Sequence, residues 1–430
     1  MHQSAITIAA IAAMFALQCT AQSDSSNEDA LAVALAGTGS TTLSNLSSQG
    51  SCNTAEGGVN DTSAWSVQWG TAQGDFAQQV AVDHQGSIYV AGFTDGNLDG
   101  NTNTGAYDVF ITKYDQPGNK LWTRLVGGTA QDLAYSIATD SRCNVITNGY
   151  TYGSFDGNTQ GSFGQNQIIA KYDTNGNKLW TAQSTVASGT WASVAVDAHD
   201  DIYITGMRRS GSVDEVALVK YDSSGNQTWV QYIPYGYGQV VTVDNSDNVY
   251  VAGTAFNGFD GLTTTSSTDL FIAKYDSAGN KLWSQLSSAT DPEFAYAMTT
   301  DTSGNVYMGG HMRLFKYTSS GTQQWAQSMQ SPGGTPGATD DIRSLKFDST
   351  GKLHVVGYTS GQFTGATSLG AWDIFLAEIN PATGAQTAIR QLGSNAWDEG
   401  WGLAFDSNDN LLLCGRKIVN NGDALLYRNP

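Results

Sequence analysis

The nonapeptide YDSAGNKLW, Tyr275 to Trp283, returns along the chain as YDQPGNKLW ending at Trp122, YDTNGNKLW ending at Trp180, YDSSGNQTW ending at Trp229 and YTSSGTQQW ending at Trp325. An aromatic strand end, an Asx-type turn closed by Gly, and a new strand opening toward Trp make a β-hairpin, because Gly supplies the positive φ that the tight turn needs. Copies of one hairpin, roughly 42 to 58 residues apart, constrain the chain to a repeat architecture.

A second marker runs through every unit: an Asp followed nine residues later by a Gly, in the pairs Asp83 and Gly92, Asp140 and Gly149, Asp197 and Gly206, Asp244 and Gly253, Asp301 and Gly310, Asp348 and Gly357, and Asp406 and Gly415. Between the members of each pair lie a turn and an alternating run such as SIYVAG or KLHVVG, whose apolar residues two apart predict a strand. Each unit then reads as strand a (QQVAVD), strand b (SIYVAG), a variable loop, strand c (DVFITKYD), the Gly-Asn hairpin and strand d (KLWTRLVG). Seven units of four antiparallel strands predict an all-β, seven-bladed β-propeller. The seventh unit stops in strand c, DALLYR, while WSVQWGTAQGD (Trp65 to Asp75) resembles WTRLVGGTAQD (Trp122 to Asp132). The N-terminal segment is therefore expected to supply the outer strand of the last blade and so remove two open sheet edges.

These units resemble the bacterial seven-bladed propeller repeat family labelled SBBP, whose pattern contains VDxxGNxYVAG, then DxFxxKYD, then GxxxW. The fifth unit departs where its b to c loop shortens to HMRLFKY, and the sixth where EINPATGAQTA replaces the Tyr-Asp hairpin and Ala388 stands at the Trp position. The resemblance implies an exported propeller and no particular reaction, since one fold serves many functions.

The ends and the charge narrow the rest. Residues 1–21 read as an export signal with an apolar core from Ile6 to Leu17, and a lipid anchor at Cys19 is the alternative processing. Residues 22–63 read as a flexible, low-complexity tether, leaving 64–430 for the propeller. No later segment is long and apolar enough to be transmembrane. A net charge of −19, from 39 acidic and 20 basic side chains, argues against nucleic acid and anionic membrane surfaces as partners. The cysteines Cys19, Cys52, Cys143 and Cys414 lie too far apart for a metal knuckle, and sequence leaves the pairing among Cys52, Cys143 and Cys414 open.

Three sets of side chains are candidates for function. The b to c and d to a loops share one face, so Trp191, Tyr296, Arg313, Arg343, Trp397 and Trp401 converge on the channel mouth as candidate ligand contacts. His311, Glu293 and Glu399 are the candidate acids and bases there. Asp95, Asn97, Asp99 and Asn101 space oxygen ligands as a calcium loop begins, although Ala106 stands where its last acid belongs, and no other cofactor is implied. The repeat Asp residues read as turn formers, the repeat Trp residues as packing between sheets, and the basic residue late in strand c (Lys113 and its equivalents) as a partner of the turn Asp of its own blade. No GxSxG, HExxH or P-loop occurs. The expected function is that of an exported monomer, periplasmic, at the cell surface or extracellular, binding a polysaccharide or protein at the loop face. A lyase or hydrolase at the same mouth, or a structural surface component, are the alternatives.

Overall fold

The computed structural model describes residues 64–159, 164–265, 267–287, 294–329, 340–418 and 422–429, with the backbone but not the side chains of 190 and 191. The expected signal, tether, Cys19 and Cys52 lie outside these residues, as does Glu293. Seven four-stranded antiparallel sheets follow one another, each with strand a innermost: Asp75–Val82, Asp132–Thr139, Ser188–Val196, Gly236–Val243, Ala297–Thr300, Asp341–Phe347 and Asp398–Phe405. The ring closes as the sequence predicts. Trp65–Trp69 pairs antiparallel with Asp423–Asn429, from Trp65 opposite Arg428 to Trp69 opposite Ala424.

The burial of each strand follows from its place in the blade. Strands b and c have neighbours on both faces, so Ile88–Thr94 and Asp108–Tyr114 are buried throughout. Strand d forms the rim, and Lys120–Val126 keeps much of its surface in solvent. Apolar clusters fill the spaces between neighbouring sheets, as where Trp69 of the closing strand packs edge-on against Phe110 and Tyr114 of the first blade. Burying each such ring stabilises the ring of blades by about 2–3 kcal/mol.

The repeat Asp holds the a to b turn. Asp83 Oδ1 accepts the Gln85 and Ser87 amides, both at 2.9 Å, and Oδ2 accepts the Tyr89 hydroxyl at 3.0 Å. That hydroxyl decides where the strand c base goes. In the second blade, where Ile146 stands at the Tyr position, Lys171 meets Asp140 at 2.9 Å, and in the seventh, with Leu412 there, Arg428 meets Asp406 at 2.9 Å. With the tyrosine present, Lys274 and Lys220 stand back at 3.5 and 3.8 Å, and Lys113 passes Asp83 to bind Thr174. The expected pairing within one blade is thus present in four blades, and it is tightest in the two where no phenol has taken the carboxylate.

The common partner of these bases lies one blade on. Lys113, Lys171, Lys220, Lys274 and Lys316 donate to the carbonyls of Thr174, Ser223, Ser277, Ser319 and Pro381 in the next c to d hairpin. The repeat tryptophans donate Nε1 to the same five oxygens. Trp65 does likewise to Gln116, so the closing strand is latched to the first blade. The sixth blade has Glu378 and Ala388 at these positions, and it faces the one blade whose strands c and d are not joined by a hairpin. The irregular sixth unit thus meets a neighbour built differently from the others, with its strand d supplied by Trp65–Trp69.

Candidate functional site

The repeat Gly faces a β-bulge in strand a. Register jumps flank Gln78, Tyr135, Gln239, Arg343 and Trp401, each five residues before the repeat Asp. A Cβ at Gly92, Gly149, Gly253, Gly310, Gly357 or Gly415 would lie 1.8 to 2.0 Å from the carbonyl oxygen of the residue two before the bulge position, so only Gly fits there. A bulge re-aims its extra side chain. Here Gln78, Tyr135, Ala192, Gln239, Tyr296, Arg343 and Trp401 all line the central channel, a cavity of about 510 Å³.

Four of these ring positions are aromatic or cationic and three are neighbours. The Arg343 guanidinium stands 4.1 Å from the Tyr296 ring centroid and 4.4 Å from that of Trp401, and it donates to Asp341 at 2.8 Å and to the Tyr358 hydroxyl. Burial opposes its charge, but Asp341 and the surrounding phenols outweigh burial and raise its pKa. His311 packs against both Phe294 and Tyr296, with Nδ1 at 3.4 Å from Asp341. Burial lowers its pKa more than Asp341 restores it, so the imidazole favours the neutral form. His311 and Met312 both take left-handed backbone conformations, the cost of the short b to c turn of this blade.

Outward from this cluster runs a stack of flat rings. Tyr358 lies parallel to Trp372 at 5.0 Å, and Trp372 to Trp397 at 4.9 Å with 15° between planes. Trp397 is 42% exposed, so the stack ends on an open face. A parallel β-bridge between residues 372 and 397 fixes the two indoles.

The other sequence candidates lie as follows. Glu399 is buried and its oxygens accept Arg416 at 2.9 Å and Trp401 Nε1 at 3.0 Å, so it braces Trp401. Arg313 opens strand c of the fifth blade, beside the short turn that carries His311. The Trp191 side chain is outside the described residues. In the calcium-like loop, Asp95 accepts the Gly74 amide, Asn97 that of Asn103, and Asp99 the Lys120 ammonium and Thr123 hydroxyl, while Asn101 turns its amide to the Leu98 carbonyl. Asp156 and Asp260 make the same Lys and Thr or Ser contacts in the second and fourth blades. This recurrence makes the loop a repeated anchor between the b to c loop and strand d. Sequence reading missed Gln78, Gln239 and Lys346 as channel residues; for the two glutamines the signal was present, as the bulge position of a regular repeat whose residue type varies from copy to copy.

Fold and site define a seven-bladed β-propeller with a polar and aromatic channel mouth. Residues 64–99 match SBBP, the beta-propeller repeat, and the resemblance read from the sequence holds. Over 137 residues the chain is 31% identical to an uncharacterized WD repeat-containing protein of Acanthamoeba polyphaga mimivirus, a match covering 29% of this chain and 10% of the viral protein. The polysaccharide lyase Uly1 superposes with a TM-score of 0.49 at 10% identity, over 84% of this chain and 91% of that one. The extracellular domain of a one-component system of B. thetaiotaomicron gives 0.44 at 15% identity, over 84% of this chain and 39% of its own.

Proposed function

We propose that the protein is an exported binding module that holds a polysaccharide against the channel mouth. The observation that carries this reading is the Tyr358, Trp372 and Trp397 stack, which presents one open indole face beside the Arg343 and Trp401 cluster. A rigid flat ring offers a sugar apolar contact, and the polar groups beside it fix the orientation. Export is supported by Cys143, which is disulfide-bonded and so suits an oxidising compartment. The test is a glycan array probed with the protein and with Trp397→Ala. Binding reduced tenfold or more in the variant supports the proposal; binding to peptides with no glycan retained would move the reading to a protein ligand.

One observation favours a second reading, a lyase or hydrolase at the same place. His311 sits 3.4 Å from Asp341, whose other oxygen holds Arg343, so a neutral base and a fixed cation share the mouth. Product release from a bound glycan, abolished in His311→Ala, is the outcome expected on that reading.

A further inference from the structure

The channel wall differs in charge from the molecule that surrounds it. The chain has 39 acidic and 20 basic side chains, yet the residues lining the channel include two bases, Arg343 and Lys346, and no carboxylate. Asp341 pairs with Arg343. Lys346 is different. It stands two residues before the repeat Asp, where Ala81, Ala138, Ala195, Thr242 and Ala404 line the same wall in other blades. Its side chain is open to the lumen, and its surroundings pull its pKa down, with no carboxylate among the described residues paired to it. The Lys346 ammonium thus faces the cavity among small side chains, about 10 Å of strand separating it from Arg343 at the mouth.

We infer that the central channel is a site for an anionic group, the carboxylate or sulfate of an acidic sugar, with Lys346 Nζ as its counter-ion below the aromatic mouth. The inference rests on the glycan reading of the mouth and adds a class of ligand to it. A cation inside a channel and short of a partner gains more from an oxyanion than one on the outer surface does, because less of the surrounding solvent screens it. Among the described residues an anion also meets no repelling carboxylate along the wall, although the chain as a whole carries a net charge of −19.

The test titrates the protein, Lys346→Met and Trp397→Ala with three oligosaccharides of one length: a neutral glucan, an oligoglucuronate and a sulfated glucan. The wild type is expected to bind the anionic probes about 10- to 100-fold tighter than the glucan. Lys346→Met keeps the aliphatic stem and should lose that preference while its glucan binding is unchanged; Trp397→Ala should weaken all three alike. The ranking of the two anionic probes assigns carboxylate or sulfate. A wild type without preference, or a preference that survives Lys346→Met, overturns the inference. Should no oligosaccharide bind, the reading of the mouth falls, and acetylation of Lys346 followed by mass spectrometry in acetate and in sulfate decides the channel: protection by either anion supports a free-anion site, and its absence overturns the inference as well.

Discussion

Gly357→Ala tests how the channel ring is built. Gly357 faces the bulge that turns Arg343 inward, and an added Cβ would meet the Asp341 carbonyl oxygen at 1.9 Å and the Phe375 ring at 2.8 Å. Phe375 is fully buried and the carbonyl belongs to the strand itself, so relief requires the a to b ladder to part by roughly 1 Å or more. Overpacking of this kind costs about 3 kcal/mol, the upper end of its usual range. Gly351→Ala is the control: its φ is +83° with nothing within 4 Å, so its cost is about 1 kcal/mol of left-handed strain. An unfolding entropy of about 2.1 cal/mol/K per residue, taken over the whole ring, converts these costs to drops in Tm of about 4 °C and about 1 °C. Scanning calorimetry reads both, and Trp401 fluorescence should change only in Gly357→Ala, because Arg343 lies 4.4 Å from that ring. Equal shifts in the two variants, or an unaltered Trp401 signal in Gly357→Ala, would refute the link between the repeat Gly and the bulge.

Two further outcomes follow from buried charges. Arg428→Ala strands Asp406 in the core and should cost about 3–5 kcal/mol by equilibrium denaturation, whereas Arg428→Lys can repeat the Lys171 to Asp140 contact and removes two buried N–H groups that lack acceptors, so it should stay within about 1 kcal/mol of the parent; a Lys variant as unstable as Ala would count against this. Burial, with a smaller push from Asp108, raises the Asp132 pKa to about 6, so the folded chain keeps a proton that the unfolded chain has released. That stabilisation is whole below the unfolded value of about 4 and is lost as pH rises through 6, and Asp132→Asn should remove this component of the Tm profile between pH 4 and 7. Parallel profiles for parent and variant would contradict it.

The repeated residues made the ring legible. Asp and Gly at fixed spacing, the Gly-Asn hairpins and the likeness of Trp65 to Asp75 with Trp122 to Asp132 determine seven blades and their closure, because each is a local demand of backbone geometry. The channel was less legible for the opposite reason. A bulge is recognised by the partner strand's Gly, while the residue it exposes carries no common type: Gln78, Tyr135, Gln239, Arg343 and Trp401 share only a place. Tyr296, Arg343 and Trp401 were within reach as polar or aromatic residues near a loop, but Lys346 sits deep in a strand and gives no motif. The contacts of Lys113 escaped a reading confined to one unit, since their acceptor, Thr174, belongs to the next.

The closing strand also sets a direction. Trp65 begins opposite Arg428, whose guanidinium touches the Asp406 turn, so the polypeptide enters the ring at the side of the a to b turns, with the Arg343 and Trp397 rings on the far side. Cys143, bonded through sulfur, lies in the second such turn and on that same side. If residues before Trp65 fasten the chain to a surface, the disc stands with its bonded underside toward the support and its open indole toward the medium, the orientation in which a long polymer can be met without crossing the anchor.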